Sequence, residues 1–216
     1  LKSYSIWSKM KALYPFVGGD ATKHSYNLIN TANFQLTFSG GWTHSSTGAL
    51  PNGTNAYANT GFNLNSNGSL NNQHISYYSR TNSNGTEVEI GALSGSYQTV
   101  LEIRTSGTTY YVVNQVNPYA TASDSDSRAF YVANRTASNI VNGWKNGSKV
   151  ATSTSASTAL VNLNVYIGAY NNVGSAALYT TKECAFASIG DGLTDTEAAN
   201  FYTAVQAFQT TLSRNV

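Results

Sequence analysis

Hydrophobic and polar residues alternate with a period of two through most of this chain. HISYYSR (74–80), TEVEIG (86–91), YQTVLEIR (97–104), TTYYVV (108–113), RAFYVANR (128–135) and LNVYIGAY (163–170) are rich in β-branched and aromatic residues. Each reads as a short strand whose successive side chains fall on opposite faces. Asn-Gly pairs stand at 52–53, 67–68, 84–85, 142–143 and 146–147. Because both residues tolerate positive φ, the pairs predict the tight turns that join antiparallel neighbours. Many short strands spaced by turns, with no alternation of strand and helix, predict an all-β antiparallel sandwich.

The period changes at the two ends. In LYTTKECAFASIGDGLTDTEAANFYTAVQAFQTTL (178–212) a buried strand around Ala185, Phe186, Ala187 and Ile189 gives way to a helix. Thr194 and Glu197 form a capping box, Asp195 places negative charge at the positive end of the helix dipole, and Ala198, Phe201, Tyr202, Val205, Phe208 and Leu212 recur at helical spacing. The spacing predicts an amphipathic helix over 194–212, laid on the sandwich. In SIWSKMKALYPF (5–16) the stripe Ile6, Trp7, Met10, Leu13 and Tyr14 predicts a short helical lead-in over 1–14, stopped by Pro15. No linker divides the 216 residues, which read as a single domain.

Composition narrows the setting. Charged residues make up 10% of the chain against roughly 25% in ordinary globular proteins, so Ser, Thr and Asn must form most of the polar surface. Neutral hydrogen-bonding surfaces of this kind fit extracellular or virion proteins. A net charge of +2 with Lys and Arg scattered along the chain offers no basic patch for phosphates, which argues against nucleic acid. No run of about 18 apolar residues is present to span a membrane. The one cysteine, Cys184, has no partner for a disulfide and reads as a small buried hydrophobe; with only His24, His44 and His74 beside it, a zinc site is not expected. The sequence begins at Leu1 without an initiator methionine and reads as a trimmed C-terminal part of something longer.

PNGTNAYA (51–58), the hairpin GWKNGSKV (143–150), the strand LNVYIGAY and the terminal CAFASIGDGLTDTEAANFY (184–202) resemble, in this order, the landmarks of the concanavalin A-like lectin/glucanase jelly roll, in its laminin-G-like branch. WSKMKALYPFVGG (7–19) and FASIGDGLTDTEAANFYTAVQAFQTTL (186–212) also look like domains near the C-termini of tailed-phage virion proteins. The resemblance implies a jelly roll, and this fold hosts lectins, glycosidases and structural modules alike.

Glycosidases of this fold set carboxylates on one face of a central strand, and Glu87-Val88-Glu89-Ile90-Gly91 is the segment to compare. A glycine stands where a further acid is needed, so Glu87 and Glu89 read as a solvent-facing pair opposite Val88 and Ile90. Ser123-Asp124-Ser125-Asp126-Ser127 has oxygens for Ca²⁺ at Asp124 and Asp126, or an ordinary acidic loop in which Asp124 pairs with Arg128. Aromatic rings stack on pyranose faces while Asn side chains bind hydroxyls, and the loop candidates for such contacts are Trp42 with His44, Tyr97, Tyr119, and Tyr170-Asn171-Asn172. Each reads equally as a packing or rim residue. His24 and His74 read as structural, and Trp7 and Trp144 as core or hairpin packing. Five sequons, at Asn52, Asn67, Asn84, Asn134 and Asn146, are explained in four cases by the Asn-Gly turns.

The expected function is a non-enzymatic virion surface module, in a fibre, tail or capsid decoration, that contacts other virion chains or copies of itself. The alternative is a carbohydrate-binding lectin module that meets a cell-surface glycan. An active glycosidase is not expected.

Overall fold

A computed structural model describing residues 1–216 realises the strand pattern as two sheets packed face to face. In chain order the strands are β1 (Met10–Tyr14), β2 (Thr37–Ser39), β3 (Trp42–Ser45), β4 (Gly48–Pro51), β5 (Tyr57–Asn63) and β6 (Gln73–Ser79). Next come β7 (Ile90–Ser94), β8 (Tyr97–Thr105), β9 (Thr108–Gln115), β10 (Ala120–Ser123), β11 (Ala129–Ala137) and β12 (Ile140–Lys145). The last are β13 (Ser148–Ser153), β14 (Asn164–Ile167), β15 (Tyr170–Asn172), β16 (Ser175–Ala177) and β17 (Cys184–Gly190). Three α-helices, α1 (Ala21–His24), α2 (Leu64–Asn67) and α3 (Asp195–Thr211), are interspersed. One sheet has eight strands in the order β13-β12-β11-β6-β17-β4-β3, with β1 added alongside β17. The other has nine, β10-β9-β8-β7-β14-β5-β2 with β15 and β16 attached. Neighbours are antiparallel except for the short parallel pairing of β15 with β7.

Between the sheets lies a core of 28 buried residues, to which Tyr77, Ile75, Leu101, Tyr111, Tyr131, Val165 and Ile167 belong. Their strand neighbours point the other way, and the two outer faces differ. On the eight-stranded sheet, Tyr78, Phe130, Val132, Trp144 and Phe186 are covered by Ala198, Phe201 and Val205 of α3. The expected capping box is present in full, with Glu197 N–H donating to Thr194 Oγ1 and the Glu197 carboxylate accepting from the Thr194 backbone. Asn134 in β11 fixes the entry to this helix, exchanging hydrogen bonds of 2.7 and 2.9 Å with the backbone of Leu193.

The N-terminal stretch departs from the helical lead-in. Helical turns of the 3-10 type occupy Lys2–Tyr4 and Trp7–Lys9, but Met10–Tyr14 is strand β1, paired with β17. The misleading stripe has a physical cause: a bulge between Met10 and Ala12 shifts the register, so that Met10 and Leu13, three apart, both face α3. A bulge thus imitates helical spacing.

The Asn-Gly signals divide in the same way. Asn146 and Gly147, at φ 48° and 75°, make the primed turn that joins β12 to β13. Asn142 and Gly143 lie inside β12 instead. There the glycine is needed for space, since a Cβ on Gly143 would sit 2.3 Å from the ring of Tyr111.

Candidate functional site

The outer face of the nine-stranded sheet carries no helix. Leu101 and Ile103 of β8 and Tyr111 and Val113 of β9 point into the core, so alternation turns Val100 and Glu102, with Tyr110 and Val112, outward. Val88, Val100 and Val112 form a small buried cluster on this side, and Tyr110, Tyr119 and Tyr170 pack on it while remaining part exposed. Gln98 donates from its side-chain amide to the Tyr119 hydroxyl. Glu102 faces Tyr110 directly across the strands, and Tyr170 lies near enough for the Glu102 charge to act on its phenol: burial first, then that carboxylate, raises the Tyr170 pKa. Further along the sheet, Tyr57 and Tyr166 stack with centroids 4.7 Å apart. Their neighbours Ala58, Val165 and Ile167 are in the core, so this pair points outward too.

The structure brings two of the expected sugar contacts, Tyr119 and Tyr170, onto this platform and leaves the others elsewhere. Tyr97 is 44% exposed at the β7–β8 hairpin. Trp42 and His44 pack around Phe38, with centroids 5.3 and 4.7 Å away. The Trp42 indole N–H donates to the backbone oxygens of Ser39 and Tyr57, and His44 Nδ1 lies 2.9 Å from His24 Nδ1. Asn171 is buried, its amide donating to Asn164 O and its oxygen accepting from Gly174 N–H. It holds a turn, and Asn172 follows it within β15. Gln98, Glu102, Tyr110 and the Tyr57–Tyr166 pair escape loop-based reading because they lie in strands. The signal for them is the outward series of β8 and β9, where Val and Tyr stand in place of the Ser and Thr that dominate this surface.

Glu87 and Glu89 are not the solvent-facing pair that alternation implies. Glu89 and Lys182 are fully buried and the Glu87 side chain is 13% exposed; Lys182 Nζ lies 3.1 Å from each carboxylate. Thr180 Oγ1 lies 2.8 Å from an oxygen of each acid, and the Ile103 N–H donates to Glu89 at 2.6 Å. Burial pushes Glu89 up to about 7. For Lys182 burial acts downward, but the two carboxylates outweigh it and hold the amine above its ordinary value. Glu87 sits below the usual carboxylate range, because the Thr181 N–H and Lys182 overcome its burial. Residues 86–89 precede β7 rather than extending it, and without a regular strand the period-two rule fails there.

Asp124 and Asp126 are likewise engaged. Lys145 Nζ is 2.5 Å from Asp124 Oδ1, Thr109 and Tyr131 hydroxyls donate to Oδ2, and Asp126 pairs with Arg128 at 2.7 Å. Arg128 therefore belongs to Asp126, not Asp124. No three His, Cys, Asp or Glu side chains gather where they could hold a metal ion.

No family model matches the chain, and no curated protein matches it in sequence. Solved structures do match in fold. The botulinum neurotoxin serotype D binding domain superposes with a TM-score of 0.61 at 10% identity, covering 93% of this chain and 53% of that one. The binding domain of botulinum neurotoxin DC in complex with SialylT gives 0.60 at 11%, covering 92% and 52%. Trypanosoma rangeli sialidase in complex with sialic acid gives 0.64 at 9%, covering 90% and 33%. The chain thus spans about half the length of the neurotoxin domains and a third of the sialidase. At these identities the likeness establishes a shared β-sandwich architecture.

Proposed function

We propose that this domain is a non-enzymatic carbohydrate-binding module whose binding face is the tyrosine platform of the nine-stranded sheet. The observation that carries the reading is the asymmetry of the sandwich: one outer face is sealed by α3, while the other presents Tyr110, Tyr119 and Tyr170 over a valine bed beside Gln98 and Glu102. Half-exposed rings flanked by hydrogen-bonding side chains are what a pyranose needs. The shared fold with a binding domain solved with SialylT and a sialidase solved with sialic acid supports a sugar as ligand. Binding without hydrolysis is supported by the Glu87–Glu89 pair, since a carboxyl sealed against Lys182 has no substrate beside it.

As its setting we propose the surface of a virion, where the module attaches to host glycans or contacts other virion chains. The support is the likeness of both end segments to tailed-phage virion domains and the scarcity of charge.

A glycan array with the purified domain tests the binding reading. The expected result is a bound class of glycan whose affinity falls about tenfold in Tyr170→Ala, the order a lost stacking contact gives, with an unchanged thermal midpoint. Ordered assembly with no bound glycan would replace this reading by a purely structural one.

A further inference from the structure

The ion pairs of this protein leave one acid over. Of its ten Asp and Glu residues, Asp20, Glu87, Glu89, Asp124, Asp126, Glu183, Asp191, Asp195 and Glu197 each lie within 4 Å of a Lys or Arg of the same chain. Glu102 alone has no cation within that distance. It stands half-buried on the tyrosine platform, directly opposite Tyr110 across β8 and β9, and near enough for its charge to act on the Tyr170 phenol. The cations of the chain are held elsewhere: the buried Lys182, whose charge reaches Glu102, is taken by Glu87 and Glu89. Arg104 follows on β8 with φ 56° and donates to Asn82; Arg135 and Arg214 are buried against backbone carbonyls; Lys2 sits over Trp7.

A carboxylate taken partly out of water without a counter-charge in contact is costly. Tyrosine rings favour a cation over their faces, and a carboxylate among them adds a charge-assisted hydrogen bond. A sialic acid, whose own carboxylate would meet Glu102, is disfavoured here by like-charge repulsion. We propose that the platform takes a sugar bearing a free ammonium group, the class of the 2-amino-2-deoxyhexoses, with Glu102 as its counter-ion and Tyr110 and Tyr170 against the ring. This rests on the carbohydrate reading of the same face.

Titration calorimetry of the whole domain tests it, with a fully deacetylated chitosan oligosaccharide, its N-acetylated chitin counterpart and sialyllactose as probes, at a pH where the amine is protonated. Wild type should bind the deacetylated oligomer about tenfold more tightly than the acetylated one, the order of one charge-assisted hydrogen bond, and sialyllactose least. Glu102→Gln should bring the first two together with an unchanged thermal midpoint. Glu102→Asp should keep the preference, and Tyr110→Ala should weaken both oligomers. The domain's own net charge of +2 gives a polycation no general attraction. Equal or weaker binding of the deacetylated oligomer, or a preference that survives Glu102→Gln, overturns the inference. If the acetylated or sialylated probe binds and the deacetylated one does not, the carbohydrate reading stands and this inference fails. If neither these probes nor any arrayed glycan binds, both fail.

Discussion

Lys182 is the residue on which the interior charge of this protein depends. It is fully buried and neutralises two carboxylates from the segment before β7, so removing it leaves both acids without a cation in a low-dielectric site. Lys182→Met should cost about 3–5 kcal/mol, as breaking a buried pair does. Glu89→Gln should cost less, because Lys182 keeps Glu87 and the amide oxygen still accepts from the Ile103 N–H. Denaturant titration that ranked the two in the opposite order would refute this account. A pH dependence goes with it. Glu89 titrates near 7 in the fold against an ordinary 4.5, so its contribution to stability is fully present below 4.5 and is lost as pH rises through 7. His24 and His74, held down to about 4 by burial, act in the opposite direction over part of that range. The difference between wild type and Glu89→Gln isolates the carboxyl: their unfolding free energies should diverge from pH 4.5 to 7, with wild type losing stability relative to the variant.

At the scale of elements, α3 is fixed by one face and one cap. Phe201 is fully buried, its ring 5.0 Å from Phe130, 5.7 Å from His74 and 5.9 Å from Phe186 in edge-on contacts. Phe201→Ala should cost about 3–5 kcal/mol through the cavity it leaves. Thr194→Ala should cost about 1 kcal/mol, the worth of a helix cap. If thermal or chemical unfolding found the cap more damaging than the ring, the assignment of the buried face would be wrong. The stripe read from the sequence ends sooner than its spacing implies. Leu212 is 40% exposed, while Gln209 is buried and donates to Ala185 O. Arg214, just past the helix, takes up the Pro15, Phe16 and Ala185 carbonyls. The C-terminal end of the helix is therefore tied to the sandwich by hydrogen bonds to backbone rather than by apolar packing.

For the molecule as a whole, the decisive feature is that only one of two chemically similar sheets is covered. Tyr110→Ala and Tyr170→Ala remove half-exposed rings from the open face, so each should leave the unfolding midpoint within about 2 °C of wild type while abolishing most glycan binding. A large drop in midpoint would make these rings structural. The purified domain is also expected to release no reducing sugar from β-glucans. Hydrolysis needs two carboxylates flanking a cleft, and the one carboxylate on the open face, Glu102, has no second acid beside it. Release of reducing ends that Glu102→Gln abolished would overturn the non-enzymatic reading.

Local chemistry sufficed for the fold class, the capped terminal helix and the Asn146–Gly147 hairpin, because alternation, a capping box and a positive-φ pair are each set by residues within a few positions of one another. What only the tertiary structure decided depends on which chain segments meet. Met10 and Leu13 share a face through a bulge against β17, Gly143 makes room for a ring from the opposite sheet, and Glu89 is buried because Lys182 arrives from 93 residues away. The platform is of the same kind. Tyr110, Tyr119 and Tyr170 come from three separate segments, and whether their face meets water is fixed by where α3 docks, since a helix can cover one sheet and must leave the other open.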